Sequence, residues 1–243
     1  MKNTEEEHEG AKHVRRVLDW FEVTGPHGKH QCLLHEPTGI DITTFIHRLE
    51  GAALHEKLAR ITARLMLMAL DYLHKIDIVH TGDSITMENV QPNNILLDID
   101  DDSILAKLED EELEHPVARK SLPDRTIYLT RYMPITSGEP ILCDMGEARI
   151  AHGKQEGLIM PSIYRAPEVL LGMSWDSKVD IWGLAQTIWS IFEGDHLFRN
   201  VDHTGELDPA QRFAEMTALM GPPPHKFIER SKEGLKYWDE KGQ

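Results

Sequence analysis

Apolar residues first fall into order at Leu54, Leu58, Ile61, Leu65, Met68 and Tyr72, spaced four, three, four, three and four. That spacing keeps one face of a helix apolar, so it predicts a helix over roughly 52–75 with a continuous buried stripe. The stripe alone would equally suit a coiled-coil seam. It lasts only about three heptads and ends in IVH, which favours a core helix. A second run, DSKVDIWGLAQTIWSIFEG at 176–194, is apolar on most faces through Val179, Ile181, Trp182, Leu184, Ile188, Trp189 and Ile191. It predicts a helix in the middle of a domain, not on its edge. A third amphipathic helix is predicted over about 208–220, stopped by GPPP.

Upstream, HVRRVLDWFEV (13–23) and KHQCLLHEP (29–37) predict two strands joined by a Gly/Pro turn. Within the second, Cys32, Leu33 and Leu34 form a short run expected to be buried, and EPTG at 36–39 reads as a linker. Residues 98–140 differ: DIDDDSILAKLEDEELEH is densely acidic yet carries Ile104, Leu105, Leu108 and Leu113 at helical spacing. A short surface helix is predicted there, then a strand-like TIYLTRYMP and a turn at SGEP. A solvated insertion loop is the alternative. A strand pair followed by a mainly helical region makes the fold class α+β.

Composition narrows the function classes. The 243 residues are 40% hydrophobic and 28% charged, which describes a globular chain with a core. Apolar runs such as LMLMAL are too short to cross a bilayer, and MKNTEEEHEGAKH is the opposite of a signal peptide. An intracellular protein, cytoplasmic or nuclear, with no membrane partner is expected. The two cysteines, Cys32 and Cys143, sit in apolar stretches and read as buried thiols, not a disulfide. His27, His30, Cys32 and His35 raise the question of zinc, but no second ligand pair accompanies them. The net charge of −15 argues against nucleic acid as a direct ligand and suits a basic partner or substrate.

Four segments then line up in order: IVH…PNNILL, LCDMG, YRAPEV and DIWGLAQ. Together they resemble the C-terminal lobe of a eukaryotic protein kinase. The group they resemble most is the SR-protein-kinase-like Ser/Thr kinases, whose loop begins His-Thr. The resemblance runs over roughly 13–243. It implies an acidic flexible N-terminus at 1–12, an N-lobe remnant of two strands and the hinge at 13–40, and a C-lobe at 41–243 with the acidic insertion at about 98–140. It further implies ATP and Mg2+ as cofactors and transfer of a γ-phosphoryl group to hydroxyls of protein substrates, basic Arg-Ser-type proteins in particular. Asp144 and Asn94 take the metal-binding positions, since phosphoryl transfer needs hard oxygen donors on a magnesium that bridges the phosphates. Met145 stands where Phe is usual, an apolar exchange that packing tolerates. Glu36 and Thr38 take the hinge positions, offering a backbone carbonyl and amide to adenine. Asp180 takes the position that bonds the catalytic-loop backbone.

The catalytic position is ambiguous. In the family pattern the catalytic Asp stands five residues before the metal-binding Asn, and that place holds Asn89, which can orient a hydroxyl but not accept its proton. Asp83 supplies a carboxylate but stands eleven residues before Asn94. Either Asp83 is the base and SITMEN loops out, or GDSITME is an insertion and Asn89 holds the catalytic position. Gln91 replaces the usual Lys, and Pro161 the usual Thr before YRAPE. Only Ser162 and Tyr164 offer phosphorylation sites between Asp144 and Glu168. No glycine loop, strand lysine or helix glutamate of the kinase N-lobe precedes residue 13, and no Arg partner for Glu168 is evident. A pseudokinase or truncated kinase acting as a binding module, with the acidic insert docking a basic partner, is therefore the second reading.

Overall fold

The computed structural model describes residues 8–82, 92–199 and 208–239. A 3-10 turn at Glu9–His13 leads into a hairpin of β1 (Val17–Gly25) and β2 (Gly28–His35). After an extended linker comes α1 (Ile42–His47), whose N-cap Asp41 accepts the Thr44 amide at 2.8 Å. Then follow α2 (Glu56–Lys75), β3 (Ile78–Val79), a 3-10 turn at Pro92–Asn94 and β4 (Ile95–Leu97). The acidic segment 98–140 carries α3 (Ser103–Glu114), β5 (Arg119–Ser121) and β6 (Thr126–Tyr128). The chain continues through β7 (Pro140–Leu142), β8 (Arg149–Ile150), α4 (Pro167–Leu170), α5 (Lys178–Glu193), α6 (Pro209–Met220) and α7 (His225–Ile228). Among the described residues the strands form four antiparallel pairs: β1–β2, β3–β8, β4–β7 and β5–β6. An α+β architecture results, with helices dominating after residue 41.

The main core lies where α2, α5, β4 and β7 meet, around Met66, Ala69, Leu70, Ile95, Leu142, Leu184 and Ile191. Here the predicted stripe on α2 needs correction. Leu54 and Leu65 are buried, but Leu58 and Ile61 are 43% and 40% exposed, and Met68 and Tyr72 only half-buried. A stripe of period 3.5 drifts by about 20° per heptad on a helix of period 3.6. The buried face is instead Ala59, Thr62, Met66, Ala69 and Leu73, whose small members let neighbouring elements approach. The central helix also departs from expectation. Its polar Asp180, Gln186 and Thr187 are buried, while Ile181, Trp189 and Phe192 are more than 40% exposed. It is one-sided, and its apolar composition overstated its burial.

The hairpin is a second correction. Leu33 and Leu34 are 57% and 48% exposed, Cys32 is half-buried, and β1 exposes Leu18, Trp20 and Phe21. Two strands alone cannot bury either face of a sheet, whatever the composition of their side chains. This acidic segment leaves and re-enters the core at adjacent points, because β4 and β7 pair and the Asp98 amide donates to the Glu139 carbonyl at 3.0 Å. As predicted, it holds a surface helix with no buried residue and a strand at 126–128. Arg131, in the segment after that strand, is fastened to the end of α3, donating to the Glu112 carboxylate at 2.7 Å and to the His115 carbonyl.

Candidate active site

The β4–β7 pairing builds the site. Ile95 pairs with Leu142, and the Cys143 amide donates to the Asn94 carbonyl at 2.8 Å, so the residues flanking the two strands are brought side by side. The buried Asn94 directs its Nδ2 at Asp144 Oδ2 across 3.5 Å. Asp144 has φ of +64°, a left-handed conformation in which the Gly146 amide closes on its Oδ1 at 3.4 Å. Few non-glycine residues adopt that conformation without a functional or structural constraint. Met145 packs half-buried against the main core, holding the turn from behind.

The root of the preceding loop is held as tightly. Asp180, 1% exposed, accepts the His80 amide at 2.9 Å, the Thr81 amide at 3.0 Å and His74 Nε2 at 2.8 Å. His80 Nε2 meets the Cys143 carbonyl at 2.9 Å, and the Thr81 hydroxyl donates to the Glu147 carbonyl at 2.6 Å. One buried carboxylate thus ties α5 to the His80–Thr81 turn, and that turn is tied to both sides of Asp144. Asp83, Asn89 and Gln91 lie outside the described residues, so the choice between the two catalytic alignments does too. Glu36 and Thr38 line a cavity of about 270 Å³ with Lys12, Arg15, Asp98 and Ile141. Asn94 and Asp144 are not among that cavity's lining residues.

Several residues look different in the structure than in the sequence. Tyr164 is 4% exposed and burial raises its pKa, so of the two candidate phosphorylation sites only the half-buried Ser162 reaches the surface. Burial also pushes the Cys143 thiol up to about 11, which makes it inert. Half-buried Glu168 forms no ion pair among the described residues. Its pKa is raised by burial, against which Arg230 and Lys178 act through space. Two residues went unassigned in the sequence. His74 completes the Asp180 cluster, and Arg165 donates from Nη2 to the carbonyl of Met160 at 2.8 Å, holding that residue at φ +66°. For Arg165 the YRAPEV motif was a signal; for His74 only its place at the end of α2 was.

Asn94 and Asp144 thus meet at the ends of one strand pair, and Asp180 of α5 anchors the neighbouring loop. The protein kinase domain family matches residues 6–236, and the chain belongs to that family. It is similar to a serine/threonine protein kinase of Aspergillus fumigatus, 38% identical over 242 residues, covering 97% of this chain and 56% of that one. It is also similar to the serine/threonine-protein kinase SRPK of Physarum polycephalum, 29% identical, covering 95% and 57%. A solved kinase-domain crystal structure superposes with a TM-score of 0.67 at 23% identity, over 96% of this chain and 60% of that one. The chain spans somewhat over half the length of these two curated relatives.

Proposed function

We propose that the chain acts in ATP- and Mg2+-dependent transfer of a γ-phosphoryl group to serine or threonine hydroxyls of proteins, basic Arg-Ser-type substrates among them. The observation that carries this is the 3.5 Å contact between Asn94 and Asp144, with Asp144 in its left-handed turn. A carboxylate and an amide oxygen are hard donors, the type magnesium takes. Asp144 and Asn94 would hold the metal, which when bound neutralises charge on the phosphates. The β1–β2 hairpin corresponds to two strands of the N-lobe sheet and 36–39 to the hinge, where the Glu36 carbonyl and Thr38 amide orient adenine. Asp83, or Asn89 in its place, positions the acceptor hydroxyl. That oxygen forms the new bond to phosphorus as the bond to ADP breaks, and its proton passes to Asp83 if Asp83 is the base. The acidic balance of the chain and its similarity to the kinase SRPK support a basic substrate, and a cytoplasmic or nuclear setting is part of the same proposal.

The test is transfer of labelled γ-phosphate from Mg-ATP to an Arg-Ser-rich peptide, comparing the chain with Asp144→Ala. Transfer that disappears in the variant is expected. Absence of transfer from the folded parent chain would overturn the catalytic reading and leave the binding module.

A further inference from the structure

The two most exposed large apolar side chains among the described residues are Tyr132 at 83% and Leu113 at 74%, and both belong to the acidic segment. Tyr128 and Leu129 in the same segment are exposed as well. The fold draws these residues together. Leu113 sits in the last turn of α3, where Arg131, between Leu129 and Tyr132, reaches the Glu112 carboxylate and the His115 carbonyl. The Leu129 amide donates to the Ala118 carbonyl at 2.9 Å, which ties the same stretch to the entry of β5. Scattered exposed apolar residues are ordinary, but a group of them rimmed by charge marks a contact surface.

The charges on the rim are of both signs and lie on separate sides. At the end of α3 the ion pairs are those of Glu111 and Glu112 with Arg131. The exposed Asp110 and Glu114 form none among the described residues, and neither does Lys107 on the same helix. On the other side stand Arg119 and Lys120 of β5, both exposed and also without an ion pair among the described residues. Arg119 instead lies 5.8 Å from the centre of the Tyr128 ring. The two sides are neighbours: Arg131 and the Val117 amide lower the pKa of Glu112, and Arg119 adds to that through space.

A surface with an acidic half and a basic half is complementary to itself. A two-fold axis through its apolar centre lays the acids of one copy on the bases of the other. A partner of a single sign fits only one half and is repelled by the other. The net charge of −15 opposes self-association at long range. Charges more than about 8–10 Å apart are largely screened at physiological salt, so the contact is decided within the patch.

We propose that this face pairs with a second copy of the chain as an isologous dimer. Asp110 and Glu114 of each copy meet Arg119 and Lys120 of the other, around a centre of Leu113, Leu129 and Tyr132. The metal-binding pair takes no part, so the dimer is tested without phosphoryl transfer and stands or falls apart from the catalytic reading.

Sedimentation velocity of the full chain is the measurement. The patch is small, so passage from one chain to two is expected over about 1–100 µM. Asp110→Lys/Glu114→Lys makes the rim basic throughout, and Arg119→Glu/Lys120→Glu makes it acidic throughout. Each variant alone should associate about tenfold more weakly at unchanged circular dichroism. The two variants mixed should recover the association of the parent, because every facing pair is then of opposite sign. Tyr132→Ser should weaken the parent and, placed in both variants, their mixture. A parent that stays a single chain over the whole range would overturn the proposal. A mixture no stronger than its components would do the same. Association that both charge variants retain would move the contact to another surface, such as the exposed β1–β2 hairpin, and so also overturn it.

Discussion

Replacing Asp180 by alanine should be among the most destabilising single changes in this chain. Its carboxylate receives three donors, and two of them, the His80 and Thr81 amides, belong to residues at most 1% exposed. Each buried amide left unpaired costs about 1–3 kcal/mol. The third donor, His74, is 19% exposed at its side chain and can turn to water. The loss therefore comes to about 2–6 kcal/mol, against a total domain stability on the order of 5–15 kcal/mol. Asp180→Asn keeps one acceptor oxygen but turns an NH2 towards the other donors, and should cost an intermediate amount. Urea titration followed by circular dichroism reads the midpoint shift, with an unchanged slope showing that the denatured state is not altered. His74→Ala is the control and should cost about 1 kcal/mol. An Asp180→Ala variant within about 1 kcal/mol of the parent would refute the accounting, because the amides would then have found other acceptors.

Gly10→Ala should also destabilise, since a β-carbon there would stand 1.8 Å from the Met68 carbonyl oxygen, and backbone cannot step aside as a side chain can. A loss of about 1–3 kcal/mol in thermal denaturation is expected, as for other overpacked contacts. Glu168 carries a raised pKa, so the folded state binds its proton more tightly than the unfolded state does. As pH falls through the raised folded value towards the ordinary 4.5, this residue should add stability. Asp71, Asp176 and Glu112, whose pKa values are lowered, act in the opposite sense. The measurement is therefore the difference between parent and Glu168→Gln across that window; a flat difference would contradict the shift. Arg131→Ala should loosen the insertion without unfolding the domain. Hydrogen exchange should quicken across α3 and around 115–117 while α2 and α5 stay protected. Faster exchange in α2 would show that the insertion supports the core.

Local pattern was enough for much of this protein. The apolar spacing announced α2, α5 and α6, Gly-Pro punctuation marked the hairpin turn and the end of α6, and PNNILL with LCDMG named the two residues that meet at the site. These features depend on neighbours within a few turns of chain, so sequence carries them. What faces what was not legible in the same way. Leu58 and Ile61 on α2, and Leu33 and Leu34 on β2, are as apolar as core residues. Their exposure follows from the absence of a packed neighbour, which composition does not encode. Conversely, Asp180, Asn94 and His80 are polar and buried because partners from distant segments satisfy them, 100 residues apart in the case of His80 and Asp180. The raised pKa of Glu168 has the same origin. Charge and hydrogen-bonding capacity are written in the residue types, but desolvation and the choice of partner are set only when the chain has folded around them.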